Sequence, residues 1–379
     1  MPGTMLRIGR RLHDGLWREF DDLARNREGL REPLKAVLSV LLATIVASAM
    51  HLPDIIWAAL SGFLVMRSSL AESLPRAFQR VLGTVSGALL GFLLARWAAQ
   101  DVGFLMLVLF IVIWIAVYQG SVTAARYAWL LFGVTATLVL IDALSDPARA
   151  AGFAAVRSAE VAVGSLSALL VAALFEAFGA PPGQGAPSLP VPGAMLGWRN
   201  LRDEAWLARN WPLIIHATQA AVAVSLLPIV WRVFGITDYA QTAITAVIVM
   251  IVPLDRIVSG GKEAVYERMV HRLLGCALGG LLAILAVALV GDDWLLWMLC
   301  LGGGVWIGFH IQSGKSGLSY LGTQFAFAFL VVFVQGPGPA TSLDPVFTRL
   351  FGVLIGMTVA SAVILAWPEG PPAADRAAP

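Results

Sequence analysis

Twelve apolar runs, each close to the length that crosses a bilayer, constrain this chain more than any other feature. They lie near residues 34–51, 55–70, 79–98, 103–119, 124–144, 153–177, 211–231, 238–254, 270–290, 294–310, 318–335 and 346–367. A transmembrane helix needs about 20 consecutive apolar residues. Only 13% of the 379 residues are charged, too few to cover the surface of a soluble domain. We therefore expect an all-α polytopic membrane protein with about twelve transmembrane helices.

The arginines and lysines predict how these helices are oriented. If the N-terminus is cytoplasmic, 21 of the 26 Arg and Lys residues fall on the inner side. The five on the outer side are Arg96, Arg149, Arg157, Arg232 and Arg349. This excess is typical of cytoplasmic loops. Both termini are then cytoplasmic, which agrees with an even number of spans.

The order of runs and breaks divides the chain into five parts. Residues 1–32 carry Leu12, Leu16, Phe20 and Leu23 at helical spacing, so we expect a cytoplasmic amphipathic segment on the membrane surface. The remaining parts are a first six-span unit at 33–178, a Pro/Gly-rich cytoplasmic linker with an amphipathic segment at 179–210, a second six-span unit at 211–367 and a disordered tail at 368–379. We call the two six-span units the first half and the second half.

The two halves repeat each other at an offset of 192 residues. The pairs that share this offset are Arg80 and Arg272, Trp114 and Trp306, and Arg157 and Arg349. Because each half has an even number of spans, we expect two parallel repeats related by an axis along the membrane normal.

Glycines follow the arginines at helical spacing. Such small residues let transmembrane helices approach closely, so we interpret them as helix-packing positions. They are Gly83, Gly87, Gly91 and Gly164 in the first half, and Gly275, Gly279 and Gly356 in the second. We expect them to bring the arginine-bearing helices together.

The four repeated arginines allow two interpretations. Near a helix end, Arg80 or Arg272 can extend to the interface and only anchor the span. Alternatively, Arg80, Arg272, Arg157 and Arg349 line a path and attract anions. The paired tryptophans, Trp114 and Trp306, are either core residues or platforms for substrate.

Two residues are candidates for carrying a coupling proton. Glu160 lies one turn after Arg157, where it either carries a proton or only neutralises the arginine. His310 is the second candidate, since an imidazole titrates near neutral pH.

The stretch "RVLGTVSG" at 80–87, the arginine in each sixth span and the duplicated six-span plan resemble the fusaric-acid-resistance (FUSC) family, which includes bacterial aromatic acid exporters. The stretch is also similar to one in plant aluminium-activated malate transporters. The resemblance implies a multi-pass protein of the bacterial inner membrane that exports organic or aromatic carboxylates, with a periplasmic adaptor protein as partner. By residue it points to Arg80, Gly83, Thr84 and Gly87, whereas Cys276 replaces the threonine in the second half. The short linker departs from full-length exporters, which carry a soluble domain there.

Other classes of function remain open or are excluded. A passive anion channel and a non-transporting scaffold subunit share the predicted anatomy, and a homo-oligomer is one candidate assembly. An enzyme is not expected, because there is no phosphate-binding glycine loop, metal-ligand cluster or nucleophile with a paired base. We therefore expect no cofactor, no metal and no nucleic-acid partner. The expected partners are the lipid bilayer and an organic anion.

Overall fold

The computed structural model describes residues 9–10, 12–15, 17–19, 31–178, 204–236, 239–252 and 262–367. Within them the fold is helical. The helices are α1 (Arg31–Ala49), α2 (Ile55–Val65), α3 (Leu70–Gln100), α4 (Val102–Val122), α5 (Arg126–Asp142), α6 (Ala150–Ala177), α7 (Glu204–Ser225), α8 (Leu227–Phe234), α9 (Tyr239–Met250), α10 (Lys262–Val290), α11 (Trp294–Ser313), α12 (Ser319–Phe333) and α13 (Asp344–Ala366).

Eight of the described segments are long and apolar enough to cross a membrane. They are Arg31–Ala49, Leu70–Gln100, Val102–Val122, Pro147–Ala177, Asn210–Phe234, Glu263–Val290, Trp294–Ser313 and Asp344–Ala366. Each predicted run has a helix at its position, and the prediction of an all-α polytopic membrane protein is confirmed.

Some predicted spans contain only short helices, so the number of twelve spans stays a prediction. The expected spans 55–70 and 238–254 contain helices of only 11 and 12 residues. At 1.5 Å per residue these are about 17 and 18 Å long, well short of a hydrocarbon core of about 30 Å. The expected span 211–231 is interrupted at Leu226, where Pro228 falls in the first turn of α8. Proline lacks the N–H that would continue the preceding helix.

Within each half the same pairs of helices pack together. In the first half α3 contacts α5, and α6 contacts α2. In the second half α10 contacts α12, and α13 contacts α9. Residues at matching positions make these contacts, as the glycines show.

Glycines lie where these helices cross. A Cβ added at Gly83 or Gly87 of α3 would overlap backbone carbonyl oxygens of α5, and one at Gly279 of α10 would overlap the carbonyl oxygen of Phe325 in α12. A Cβ at Gly164 of α6 would overlap the carbonyl oxygen of Ala58 in α2. The glycines therefore set α3, α6 and α10 against shorter helices, and not the arginine-bearing helices directly against each other.

The remaining ladder positions make similar contacts. A Cβ at Gly91 would meet the side chain of Val139, one at Gly275 would meet the backbone of α12, and one at Gly356 would meet Thr242 and Thr245 of α9.

Among the described helices, the main contacts between the halves involve four helix pairs in a symmetric pattern. Helix α1 contacts α11, α4 contacts α7, α2 contacts α12, and α5 contacts α9. The first helix of each half contacts the fourth helix of the other half, and the second helix of each half contacts the fifth of the other. The short helices α2 and α12 thus lie against each other in the middle of the molecule.

Large apolar side chains face outward on the long helices. On α3, Leu82, Leu89 and Leu93 are about half exposed, and on α10 Leu281, Leu285 and Leu289 are exposed to a similar degree. The spacing of four or seven residues makes one continuous apolar face on each helix. Such faces suit contact with lipid acyl chains.

The described part of the N-terminal segment packs against the second half. Leu12 lies in a cluster with Leu318 and Leu321. The Glu19 carboxylate accepts a hydrogen bond from the Ser316 hydroxyl and lies 3.6 Å from His310 Nε2. Leu16, Phe20 and Leu23, most of the linker 179–210 and the tail 368–379 lie outside the described residues.

Candidate functional site

The four repeated arginines are all buried. Arg80, Arg157, Arg272 and Arg349 are 3%, 6%, 1% and 2% exposed. Their guanidinium groups therefore lie against protein and are not extended into solvent from a helix end. Their partners divide them into two pairs.

Arg80 and Arg272 are held by neutral hydrogen-bond acceptors. The Nε group of Arg80 donates to Ser61 Oγ at 2.9 Å, and its Nη1 group donates to Tyr127 Oη at 2.5 Å. Arg272 donates from Nη2 to Thr245 Oγ1 at 3.0 Å and from Nη1 to Gln324 Oε1 at 2.7 Å. Each arginine thus joins its own long helix to the second and fifth helices of its half.

A further arginine lies one turn before each member of this pair. The guanidinium carbon of Arg76 is 4.0 Å from the centre of the Tyr127 ring, and that of Arg268 is 4.0 Å from the centre of the Tyr320 ring. In the loop before α3, burial and the neighbouring Arg76 lower the pKa of Arg67 from its usual value. Positive charge therefore accumulates at this end of each half.

Arg157 is surrounded by aromatic rings and a carboxylate. Its guanidinium carbon lies 3.8 Å from the centre of the Trp57 ring and 4.9 Å from that of Phe153. Its Nη1 atom is 3.7 Å from Glu160 Oε2. Glu160 is fully buried, and its Oε1 atom accepts a hydrogen bond of 2.9 Å from the backbone N–H of Asp54.

Arg349 lacks a carboxylate partner. Its Nη1 group donates to Gln241 Oε1 at 3.2 Å, and its guanidinium carbon is 4.3 Å from the centre of the Phe327 ring. The thiol of Cys276, a weak acceptor, also lies near it. Its Nε and Nη2 atoms are buried without a hydrogen-bond partner. Among the described residues, no carboxylate forms an ion pair with Arg349.

Two aromatic rings connect Arg157 to Arg349 across the junction of the halves. Trp57 of α2 and Phe327 of α12 meet edge to face with ring centres 6.2 Å apart. Arg157 stacks on the first ring and Arg349 on the second. The pair predicted from the 192-residue offset is thus brought together at one site, which we call the central arginine site.

A pocket opens beside Arg349 of the central arginine site, and Arg157, Trp57 and Phe327 are not among the residues that line it. It has a volume of about 610 Å³ and is lined by residues from both halves, including Asp54, Gln241, Gln335, Asp344 and Arg349. The rim residues Asp54 and Asp344 are exposed, whereas Arg349 is buried. A pocket of this size is large enough for a small organic molecule.

Other residues predicted from the sequence lie elsewhere. Trp114 donates to Thr218 Oγ1 at 3.2 Å and stacks on Tyr118, and Trp306 is half-buried. In the described part of the chain, neither tryptophan makes a cation–π contact with an arginine. Thr84 is buried on α3. His310 lies at the end of α11 near Glu19 and is not part of the central arginine site.

Several residues of the site were missed by the sequence interpretation. Trp57, Tyr127, Gln241 and Phe327 stand inside apolar runs without a motif. The sequence held a signal for Arg76 and Arg268, which share the 192-residue offset and precede Arg80 and Arg272 by four residues.

The site can bind charge but shows no constellation for covalent chemistry. Partly unpaired guanidinium groups in a water-poor site form strong, charge-assisted hydrogen bonds with carboxylates. Among the described residues, no group of three or more His, Cys, Asp or Glu side chains is placed to hold a metal ion.

Comparison with known proteins gave one match. The family model described as "Fusaric acid resistance protein-like" matches residues 42–171 and again residues 229–363. Searches of the curated proteins and of the solved structures gave no match. The two matched regions cover well over half of the chain and contain all four buried arginines. The chain therefore belongs to the fusaric acid resistance protein-like family, as its sequence motifs predicted.

Proposed function

We propose that this protein exports organic carboxylate anions, aromatic ones included, along a path between its two halves. Family membership together with the apolar helices indicates a multi-pass membrane protein of transport or efflux, not an enzyme. The kind of substrate and the path are our proposal.

The observation that carries the proposal is the environment of Arg349. A cation taken out of water is costly unless its donors are satisfied, and here two buried nitrogens have no partner. The side chain lines a pocket at the junction of the halves. A carboxylate in that pocket would compensate the charge of Arg349, and the apolar lining residues Val331 and Val334 would accommodate an apolar or aromatic body.

The distribution of charge supports outward movement of anions. In the predicted topology, Arg67, Arg76 and Arg268 lie toward the cytoplasm, where they would attract anions. Asp54 and Asp344 lie at the opposite mouth, where they would repel anions that return. Buried Arg80 and Arg272 continue the positive potential between the two ends.

The two matched regions support a duplicated architecture. We propose two parallel six-helix repeats, in which short helices such as α2 and α9 complete the twelve. We also propose that the protein lies in the bacterial inner membrane with both termini in the cytoplasm, and that a periplasmic adaptor or a homo-oligomer completes the working assembly.

A coupling proton would make the protein a secondary transporter, and Glu160 and His310 are its candidate carriers. Without coupling, the same arrangement is a passive anion channel. A scaffold without transport is the remaining alternative, but it gives no reason for a buried guanidinium group beside a pocket and without a carboxylate partner among the described residues.

Flux of radiolabelled benzoate in proteoliposomes tests this proposal. We expect benzoate to cross faster than in protein-free liposomes, and a cation of similar size, benzylammonium, to show no such increase. A proton gradient that drives benzoate against its concentration gradient would identify coupled transport, whereas downhill flux alone would identify a channel. Benzoate flux equal to that of protein-free liposomes would overturn the proposal.

A further inference from the structure

In the first half, the guanidinium of Arg157 forms an ion pair with a carboxylate of the protein itself, although its Nε and Nη1 atoms make no hydrogen bond. Glu160 Oε2 is 3.7 Å from Arg157 Nη1, and both side chains are buried. The second carboxylate oxygen is fixed by the backbone N–H of Asp54. Asp54 also lines the pocket that contains Arg349. The carboxylate is therefore held at the edge of the central arginine site.

The matching position in the second half has no carboxylate. Gly352 corresponds to Glu160 at the 192-residue offset. A Cβ added there would overlap the Cβ of Gln241, so a residue with a neutral side-chain amide packs against this position. That amide accepts one hydrogen bond from Arg349.

The local packing shows that these two environments are equivalent in position. Gly164 packs on Ala58 and Ser61 of α2, and Gly356 packs on Thr242 and Thr245 of α9. These contacts align Ala58 with Thr242 and Ser61 with Thr245, and Trp57 then corresponds to Gln241. Arg157 is in contact with Trp57, and Arg349 with Gln241.

The two halves therefore differ in charge at one site. In the first half a carboxylate compensates the guanidinium, with further negative potential from Asp54 and Asp142. In the second half the guanidinium has no ion-pair partner among the described residues, although in both halves two buried guanidinium nitrogens form no hydrogen bond. An arginine with an internal carboxylate partner has little to gain from an external one, whereas Arg349 has much to gain.

We propose that the Glu160 carboxylate is a built-in ligand, which occupies in the first half the place that a transported carboxylate takes at Arg349 in the second. The protein then has a latent carboxylate site at Arg157 and one open site at Arg349. This inference rests on the proposed function, because the open site is the proposed substrate site.

Chemical rescue with formate tests the proposal without measuring transport. Removing the carboxylate in Glu160→Ala leaves a space beside Arg157 and the N–H of Asp54. Formate is the smallest carboxylate and should bind there. At ten times its dissociation constant, it should raise the melting temperature of Glu160→Ala in lipid nanodiscs by roughly 3 °C, compared with chloride at equal ionic strength.

Three control variants give the test its specificity. Glu160→Gln keeps the shape of the side chain, so formate should not stabilise it. Glu176→Ala removes a carboxylate of the same helix that accepts the N–H of Leu70 but forms an ion pair with no arginine in the described part of the chain, so its response should be much smaller. Adding Arg157→Gln to Glu160→Ala should abolish the response.

If Glu160→Ala yields no folded protein, the comparison is made on folded yield after cell-free synthesis into nanodiscs with formate or with chloride. A formate response confined to Glu160→Ala supports the built-in ligand. Equal responses of Glu160→Ala and Glu160→Gln, or none in either, would overturn it. In that case benzoate flux that still depends on Arg349 would leave the proposed function standing.

Discussion

Neighbouring buried arginines of this protein offset their desolvation in different ways. A guanidinium removed from water is stabilised only by well-placed acceptors or charges. Arg272 has such acceptors on two other helices, Arg157 has Glu160 and an indole ring, and Arg349 has one amide. Arg80 and Arg272 are therefore expected to act mainly in stability, and Arg349 mainly in binding.

Arg272→Lys tests the first of these roles. A lysine keeps the charge but lacks the planar guanidinium group that donates hydrogen bonds to both Thr245 and Gln324. Losing hydrogen bonds to a charged group costs about 1.5–3 kcal/mol each. We expect a clearly lower melting temperature in detergent or nanodiscs. Arg232→Lys, at an exposed position on α8, is the matched control and should melt like the wild type. Equal melting of both variants would contradict this role.

The sequence predicted the arginines of the site but not their partners. Arg157 and Arg349 were recognisable because a charge inside an apolar run is rare and the offset repeats. Trp57 and Phe327 are ordinary residues of apolar helices, and only tertiary packing places them side by side. The difference between the halves at this position is visible in the sequence as Glu160 against Gly352, but no sequence signal indicated Gln241.

At the scale of helices, two helices approach each other closely where one of them has a glycine, which has no side chain. Gly279→Ala should destabilise the protein by about 1–3 kcal/mol, because the added methyl overlaps the backbone of α12 and forces the helices apart. Gly303→Ala on α11 is the control, since its Cβ would meet no atom within 4 Å, and it should stabilise α11 by up to about 1 kcal/mol. Thermal unfolding monitored by fluorescence distinguishes the two. A Gly279→Ala variant as stable as Gly303→Ala would show that the crossing of α10 and α12 is loose.

Hydropathy predicted where the helices lie but not how long each one is. The expected span 55–70 contains a helix that ends at Val65, before Met66 and Arg67. Of the residues that follow, Met66 and Ser69 are buried, Arg67 is half-buried and Ser68 is exposed. A buried segment of a membrane protein therefore does not always cross the bilayer. Apolar runs alone overestimate the length of the central helices.

At the scale of the whole molecule, topology can be measured directly. Reporter tags at the N-terminus, within 181–193 and at the C-terminus should all report cytoplasm. Tags near Asp101 and Asp292 should report the opposite side. The contact of Glu19 with Ser316 places the N-terminal segment on the same side as the loop between α11 and α12, as this topology requires. A periplasmic signal from the 181–193 tag would contradict the arrangement of two parallel repeats.

The central claim is that Arg349 binds the transported carboxylate in the pocket between the halves. The most direct measurement is benzoate flux per folded molecule for Arg349→Gln in proteoliposomes, with Arg232→Gln as the control. Losing a charge-assisted pair costs about 1.5–3 kcal/mol, which is roughly a 10-fold to 150-fold lower affinity. We predict a loss of flux of that order at subsaturating benzoate, partial recovery in Arg349→Lys and unchanged flux in Arg232→Gln. Wild-type flux per folded molecule in Arg349→Gln would contradict the claim.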